Sequence, residues 1–211
     1  MSTCGVEWGM PRKRRAYHHG DLRSALIREA TRTIREEGVD GVTLRDVGKR
    51  LGVSRTALYR HFADKSALFA AIAREGFQTF ARDLRDAWQA AGGGRKGLSA
   101  MGAAYVRFAV ENPAHYRIMF GGFKRLSGSD AALQADAQAS FQVLLDAIAS
   151  MQSAGEIRAD DRLTLGRFIW ATVHGIAMLT IDGQLGPDDA VSEVLTTFAL
   201  ERLMTGISKK A

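Results

Sequence analysis

The residues best suited to binding chemistry lie between positions 43 and 65, where hydrogen-bonding and basic side chains recur at helical spacing. At 100° per residue, Leu58 and Phe62 fall on one side of a helix that begins after Ser54. The other side carries polar groups, namely Thr56, Tyr59 and Arg60. A helix with this exposed face can enter the major groove of DNA and present its first turn to base edges, which predicts base contacts from Arg55 and Thr56.

Three helix starts follow one another closely and would position these side chains. Thr43, Ser54 and Asp64 are each suited to cap a helix, and each is flanked by apolar residues at the spacing of a hydrophobic staple. Gly52 lies between the first two short helices and supplies the backbone freedom of a tight turn. The spacing therefore predicts a helix-turn-helix motif.

An amphipathic helix from Asp21, ended by Gly38, precedes this motif. Residues 1 to 66 contain 14 basic and 8 acidic residues, so they carry the whole net charge of +6. Such a basic first third on a neutral body favours a polyanionic partner. Residues 1 to 19 include the cluster PRKRR and predict a mobile arm, which could equally be a solvated tail or a DNA-touching arm; translation could also start at Met10.

The stretch TLRDVGKRLGVSRTALYRHFADKSAL resembles the DNA-binding domain of the TetR family of bacterial transcriptional repressors. This resemblance implies base contacts from the positions of Arg45, Arg55 and Thr56. It implies phosphate contacts from four other positions, Thr43, Tyr59, His61 and Lys65. Together with two further residues of the predicted motif, the candidate DNA-binding set is Thr43, Arg45, Ser54, Arg55, Thr56, Tyr59, Arg60, His61 and Lys65. Gly48 departs from the family, which usually has Ala there, and costs the helix about 1 kcal/mol.

The rest of the chain has only helical patterns. A long helix is predicted from Asp64 to about Ala91, ended by three glycines, and further helices over about 97–112, 130–153, 160–182 and 187–206. A short helical segment begins at Pro113, and residues 121–130 are predicted to be a loop. The uncharged run from Phe168 to Ile181 is apolar almost all round, which predicts burial on more than one side and a four-helix interface with a second copy of the chain.

Two segments, AYVRFAVENPAHYRIMF and IWATVHGIAMLTIDG, resemble the WHG-type C-terminal domain of one branch of the same family. That resemblance implies dimerisation and an inducer pocket. The candidate pocket residues are the aromatic, Met and His positions Phe77, Met101, Tyr105, Phe108, Tyr116, Met119, Trp170, His174 and Met178. Each of them is also a candidate core residue, and His174 is either a hydrogen-bonded structural histidine or a ligand contact.

Other classes of protein fit the sequence less well. The one cysteine, Cys4, cannot form an intramolecular disulfide, and the five histidines show no metal-ligand spacing, so neither a metal nor another cofactor is expected. GLSAMG and GGGRKG lack the spacing of nucleophile-elbow and phosphate-loop motifs. The N-terminus has no secretory apolar region, and the 14-residue apolar run is shorter than the roughly 18 to 20 residues of a membrane span, which predicts a cytoplasmic protein without a membrane partner.

The sequence therefore predicts an all-α protein with an arm over 1–19, a helix-turn-helix domain over 20–66 and a helical dimerisation and ligand-binding domain over 67–211. The predicted function is that of a homodimeric repressor, not an enzyme, which binds a palindromic double-stranded DNA operator and is released by a small apolar inducer. Two alternatives remain at this stage. One is a ligand-independent DNA-binding protein of the same fold, regulated by a protein partner, and the other is an enzyme with its site in the C-terminal body.

Overall fold

A computed structural model describes residues 22–121, 130–186 and 189–208 of the chain. Within those ranges the secondary structure is helical, with one isolated β-bridge between Ile157 and Ser208, so the all-α prediction is confirmed. The helices are α1 (Leu22–Glu37), α2 (Leu44–Arg50), α3 (Arg55–His61), α4 (Lys65–Ala90), α5 (Gly94–Glu111), α6 (Pro113–Gly121), α7 (Ala131–Ser153), α8 (Arg162–Ile181) and α9 (Asp189–Ile207). The predicted arm and most of the predicted loop over 121–130 lie outside the described residues.

The three predicted caps are all present at the starts of α2, α3 and α4. The Thr43 hydroxyl accepts from the Asp46 amide at 3.1 Å, and the Ser54 hydroxyl accepts from the Ala57 amide at 3.2 Å. The Asp64 carboxylate accepts from the amide of the third residue of α4, Ala67, at 2.8 Å. Each cap satisfies an amide that has no partner inside its helix, which fixes where the short helices begin.

Close packing between α2 and α3 explains the unusual Gly48. A Cβ atom added there would lie 3.1 Å from Cδ2 of Leu58 and 3.6 Å from Cγ2 of Val53. Gly52, in the turn between the two helices, has φ of +65°, which favours glycine. The backbone of this turn and the small residue facing it thus hold the two helices of the motif together.

A network of charged side chains ties α2 to the outer face of α1. Arg50 forms an ion pair with Glu37 and donates to the Thr33 hydroxyl at 3.2 Å. Arg32 contacts Glu29 at 2.6 Å and another carboxylate of α1 at 2.8 Å. Exposed pairs of this kind contribute little one by one, but a shared network orients the two helices.

The long helix α4 connects the three N-terminal helices to the C-terminal body, where it packs against α5, α6 and α7. It ends at Ala90, and α5 begins at Gly94, so one of the three glycines predicted to terminate α4 already belongs to the next helix. The carboxylate of Glu156 accepts from the Arg95 amide at 3.2 Å, which satisfies one amide at this uncapped helix start.

Helices α8 and α9 share an exposed apolar face. Phe168 is 55% exposed and Leu179 39% on α8, while Val194 is 70% exposed and Phe198 53% on α9. By length and composition α8 is the one helix in the described part of the chain that could cross a membrane, yet its other side packs against α5, α7 and α9. Within one chain, α8 is therefore buried on one side and exposed on the side that it shares with α9, although the sequence predicts burial on more than one side.

Candidate DNA interface and ligand cavity

The exposed face of α3 carries the predicted base-contacting residues. Tyr59 is 44% exposed, and the guanidinium of Arg55 lies over its ring at 5.6 Å from the centroid. Thr56 and Arg60 are also exposed, whereas Leu58 is buried against α2. A cation stacked on an aromatic ring has fewer accessible rotamers, so this contact holds the Arg55 side chain in an ordered position at the start of the helix.

Five arginines of the N-terminal helices differ in their partners. Arg32 and Arg50 are engaged by carboxylates of α1, and the hydrogen bonds to those carboxylates raise the pKa of both guanidinium groups. Arg45, Arg55 and Arg60 are exposed and form no ion pair with any residue that the structure describes. The two helices of the motif thus present three guanidinium groups that a polyanion can contact.

Two of the residues predicted to contact phosphates form hydrogen bonds within the protein, whereas a ring nitrogen of a third has no partner. The Lys65 ammonium donates to the Val39 carbonyl at 3.1 Å and lies 5.0 Å from the centroid of the Phe69 ring. The Thr43 hydroxyl donates to the Asp46 carboxylate at 2.6 Å in addition to its capping bond. Nε2 of His61 is buried without a hydrogen-bond partner among the described residues.

The C-terminal body encloses a cavity of about 790 Å³ between α4, α5, α7 and α8, with one residue from α6. This volume lies in the usual range of small-molecule sites. Its wall is mostly apolar: Phe77, Phe80, Leu84, Leu98, Met101, Gly102, Tyr105, Phe120, Gln134, Ala137, Gln138, Ser140, Phe141, Leu144, Leu163, Arg167, Ile169, Trp170 and Val173.

Four of the nine predicted pocket residues line this cavity, namely Phe77, Met101, Tyr105 and Trp170. The other five lie outside its wall: Phe108, Tyr116, Met119, His174 and Met178. The first three of these are buried core residues of α5 and α6, and the last two are half-buried residues of α8, with His174 packed behind the wall residues Tyr105 and Trp170. Ligand contact from any of the nine residues stays a prediction.

Polar groups behind the wall form a hydrogen-bonded cluster. The Tyr116 hydroxyl lies 2.6 Å from Nδ1 of His174 and 3.0 Å from the Tyr105 hydroxyl, which is itself 3.0 Å from the same Nδ1. Trp170 donates its indole N–H to the Tyr105 oxygen at 3.0 Å. These four side chains, which we call the Tyr–His cluster, orient the Tyr105 and Trp170 rings that face the cavity.

Burial sets the protonation of the Tyr–His cluster. It raises the pKa of both Tyr105 and Tyr116, so the hydroxyls stay protonated, and it lowers the pKa of His174. A neutral His174 offers Nδ1 as an acceptor for one hydroxyl hydrogen. These hydrogen bonds fit the structural role of His174, and its contact with a ligand stays a prediction.

Helix α7 supplies six of the fifteen wall residues that sequence reasoning missed, more than any other helix. Ala137, Phe141 and Leu144 recur at helical spacing and would have been found by extending the apolar stripe of this helix toward the body. Phe80 and Leu84 continue the stripe of Phe77 along α4. The same helix therefore starts at Lys65 beside the DNA-binding motif and supplies three residues to the cavity wall.

No group of three or more His, Cys, Asp or Glu residues is arranged to hold a metal ion within the ranges that the structure describes. The charged side chains of the body lie at its surface or in pairs, such as Arg74 with Asp136 at 2.8 Å and Arg117 with Asp182 at 2.8 Å. Apolar side chains make up most of the cavity wall.

Comparisons with known proteins agree with this architecture. The family model described as "Bacterial regulatory proteins, tetR family" matches residues 26–72, and "Tetracyclin repressor-like, C-terminal domain" matches residues 98–203. A helix-turn-helix transcriptional regulator of Mycobacterium tuberculosis is 23% identical and covers 88% of this chain and 92% of its own. One of Bacillus subtilis is 33% identical but covers only 46% of this chain and 50% of its own.

Among solved structures, a protein of unknown function from a Rhodococcus species is 31% identical, with a TM-score of 0.83. The match covers 93% of this chain and 100% of that one. The two family models match most of the chain: the first includes the helix-turn-helix motif, and the second includes the cavity-wall residues of α5 to α8, while the three wall residues of α4 lie between the two matches. The chain belongs to the TetR family of DNA-binding transcriptional regulators.

Proposed function

We propose that the protein is a homodimeric repressor that binds a palindromic operator and is released from it by a small apolar inducer. The observation that carries this proposal is the continuity of α4, which is separated from α3 by three residues and supplies Phe77, Phe80 and Leu84 to the cavity. A ligand that contacts these side chains and shifts α4 also shifts α2 and α3, which precede α4 in the chain. Ligand affinity and DNA affinity are then coupled.

On DNA, α3 lies in the major groove. Arg45, Arg55 and Thr56 contact base edges, and Ser54 and Arg60 flank them. Phosphate contacts come from the remaining candidates, Thr43, Tyr59, His61 and Lys65. Support comes from the three exposed arginines described above and from the ordered Arg55–Tyr59 pair. The same proposal includes a DNA-binding domain over 20–66 and a dimerisation and ligand-binding domain over 67–211. It also includes a cytoplasmic location, which family membership suggests.

The exposed face shared by α8 and α9 is the dimer interface. A contiguous face of large exposed apolar side chains marks an interaction surface, and two copies of this face pack together as a four-helix bundle. Two-fold symmetry then places the two α3 helices in successive major grooves, about 34 to 36 Å apart.

Selection of bound sequences from a random DNA pool tests the DNA-binding part of the proposal. The full-length protein is expected to recover an inverted repeat and to bind it at least about 10³-fold more tightly than random DNA. Titration of the recovered site at two salt concentrations then separates phosphate contacts from base contacts. Weak, strongly salt-dependent binding without a motif would contradict the repressor proposal.

The inducer part is tested on the recovered operator with two variants of α7. Ala137 lines the cavity, so Ala137→Trp fills it, whereas Ala139 is exposed on the same helix and Ala139→Trp leaves it open. A compound found by loss of operator binding is expected to release the wild type and Ala139→Trp but not Ala137→Trp. Equal release of all three would place the inducer elsewhere, and a broad screen without any releasing compound would favour regulation by a protein partner.

A further inference from the structure

The cavity wall holds a single charge among the residues that the structure describes, the guanidinium of Arg167 on α8. We propose that the ligand is an aromatic carboxylic acid, with its ring system in the cavity and its carboxylate on Arg167. This inference rests on the proposed function, because it names the chemical class of the compound that the same cavity binds. An arginine stays charged at every physiological pH, so it selects an anion under all growth conditions.

The position of Arg167 suits the charged end of an amphipathic ligand. The exposed lining residues come from α7 and α8, namely Gln134, Gln138, Leu163, Arg167 and Trp170, whereas the lining residues of α4 and α5 are buried. The mouth of the cavity therefore lies between α7 and α8, and Arg167 stands at it. A ligand that enters with its apolar end first leaves its charged end at this rim, partly in water, so the cost of desolvating the carboxylate is small.

The Arg167 guanidinium is available to a ligand. It forms no ion pair within 4 Å with any residue in the described part of the chain. Asp161, one turn and a half earlier, interacts with it electrostatically, but that carboxylate accepts from the Thr164 amide at 2.7 Å as the cap of α8. A carboxylate ligand gains a charge-assisted hydrogen bond that no side chain of the described protein already makes.

The inner wall favours a ring system over a flexible chain. Phe80 and Tyr105 meet edge to face with centroids 4.9 Å apart, and Phe141 and Trp170 meet in the same way at 5.9 Å. Aromatic rings prefer such offset or perpendicular neighbours, and the Trp170–Tyr105 hydrogen bond joins these two pairs into one aromatic group of the wall. An aromatic body therefore finds ring partners contributed by four helices of the cavity, α4, α5, α7 and α8.

A matched pair of probes tests the proposal without DNA. Pyrenebutyric acid and its methyl ester share one polycyclic body and differ in the negative charge. Isothermal titration calorimetry on the full-length protein is expected to show that Arg167→Gln weakens the acid by about tenfold, since a charge-assisted bond at the rim is lost. The ester is expected to bind the wild type and Arg167→Gln within about twofold of each other.

Two further variants sharpen this result. Arg162→Gln removes an exposed arginine of the same helix that does not line the cavity, and it is expected to leave the acid's affinity unchanged. Arg167→Lys keeps the charge but not the two-pronged geometry, so it is expected to bind the acid with intermediate affinity. Added salt is expected to weaken the acid alone.

The outcomes separate this inference from the proposed function. If the ester binds the wild type and the acid is equally affected by Arg162→Gln and Arg167→Gln, or by neither, the carboxylate assignment is wrong while the cavity remains a ligand site. Failure of both probes to bind the wild type would also overturn the inference. In that case, release of the operator by an uncharged compound would still support the proposed function.

Discussion

Two tyrosines of the Tyr–His cluster are expected to be energetically coupled. In Tyr116→Phe, the Tyr105 hydroxyl still lies 3.0 Å from Nδ1 of His174 and takes over as donor, so only one net hydrogen bond is lost. The expected loss in the free energy of unfolding is about 1 kcal/mol. In Tyr105→Phe, Tyr116 keeps the bond to Nδ1, and water is expected to replace the lost acceptor of the Trp170 N–H, because Trp170 is 37% exposed; the loss is again about 1 kcal/mol.

The double variant removes both donors and leaves Nδ1 of His174 without a hydrogen-bond partner in the cluster. Because His174 is half-buried, the unpaired acceptor costs about 1 to 2 kcal/mol, the lower part of the usual range, in addition to the lost bonds. The double variant is therefore expected to lose about 3 to 4 kcal/mol, more than the sum of the two single variants. The coupling energy of the cycle is about 1 to 2 kcal/mol.

Urea unfolding at one fixed protein concentration measures this cycle, because a dimer's stability depends on concentration. A pH near 8 keeps His174 neutral. Tyr59→Phe makes the same chemical change at an exposed residue and is expected to stay within about 0.5 kcal/mol of the wild type. Additive single losses, or a Tyr59→Phe loss as large as that of Tyr116→Phe, would refute the assigned hydrogen bonds.

Three further results are expected. Burial lowers the pKa of His115 and His174, so the unfolded chain binds more protons below about pH 6.5 and the free energy of unfolding falls as the pH is lowered through that window. His174→Asn reduces this pH dependence, and an unchanged slope would contradict the assignment. Gly52→Ala costs about 1 to 2 kcal/mol because φ is +65°, whereas Gly48→Ala changes the stability by less than about 1 kcal/mol, since the gain in helix propensity offsets a small shift of its neighbour. Thermal melts of both glycine variants measure the two losses, and a larger loss in Gly48→Ala than in Gly52→Ala would contradict the backbone geometry described for this motif. Lys65→Met loses the part-buried hydrogen bond to the Val39 carbonyl and one phosphate contact. It is therefore expected to lower the melting temperature and to reduce the number of ions released on operator binding by about one. An unchanged melting temperature would contradict the structural role, and an unchanged salt dependence would contradict the phosphate contact.

The motif that contacts DNA was predictable because its signals are local. A capping residue, the amide that it satisfies and the staple around it lie within a few positions of one another, so Thr43, Ser54 and Asp64 marked the helix starts from sequence alone. The contact between Lys65 and the Val39 carbonyl spans 26 positions and left no such mark.

The cavity was predicted only in part because its wall depends on tertiary packing. The choice of aromatic and Met residues found Phe77 and Trp170, but it could not separate side chains that face the cavity from those packed behind it, such as Tyr116. The sequence also offered no reason to select Arg167, because a charged side chain on a helix is ordinarily exposed to solvent. Only the position of the cavity mouth gives Arg167 a role in binding.

Hydroxyl-radical footprinting of the full-length protein on its selected operator tests the central claim most directly. Two recognition helices related by two-fold symmetry are expected to protect two matching patches whose centres lie about 10 to 10.5 base pairs apart, or a multiple of that spacing. Arg55→Ala is expected to weaken both patches together, because each copy of the chain contributes one α3. A single protected patch, or uniform protection that disappears with added salt, would contradict a dimeric sequence-specific regulator.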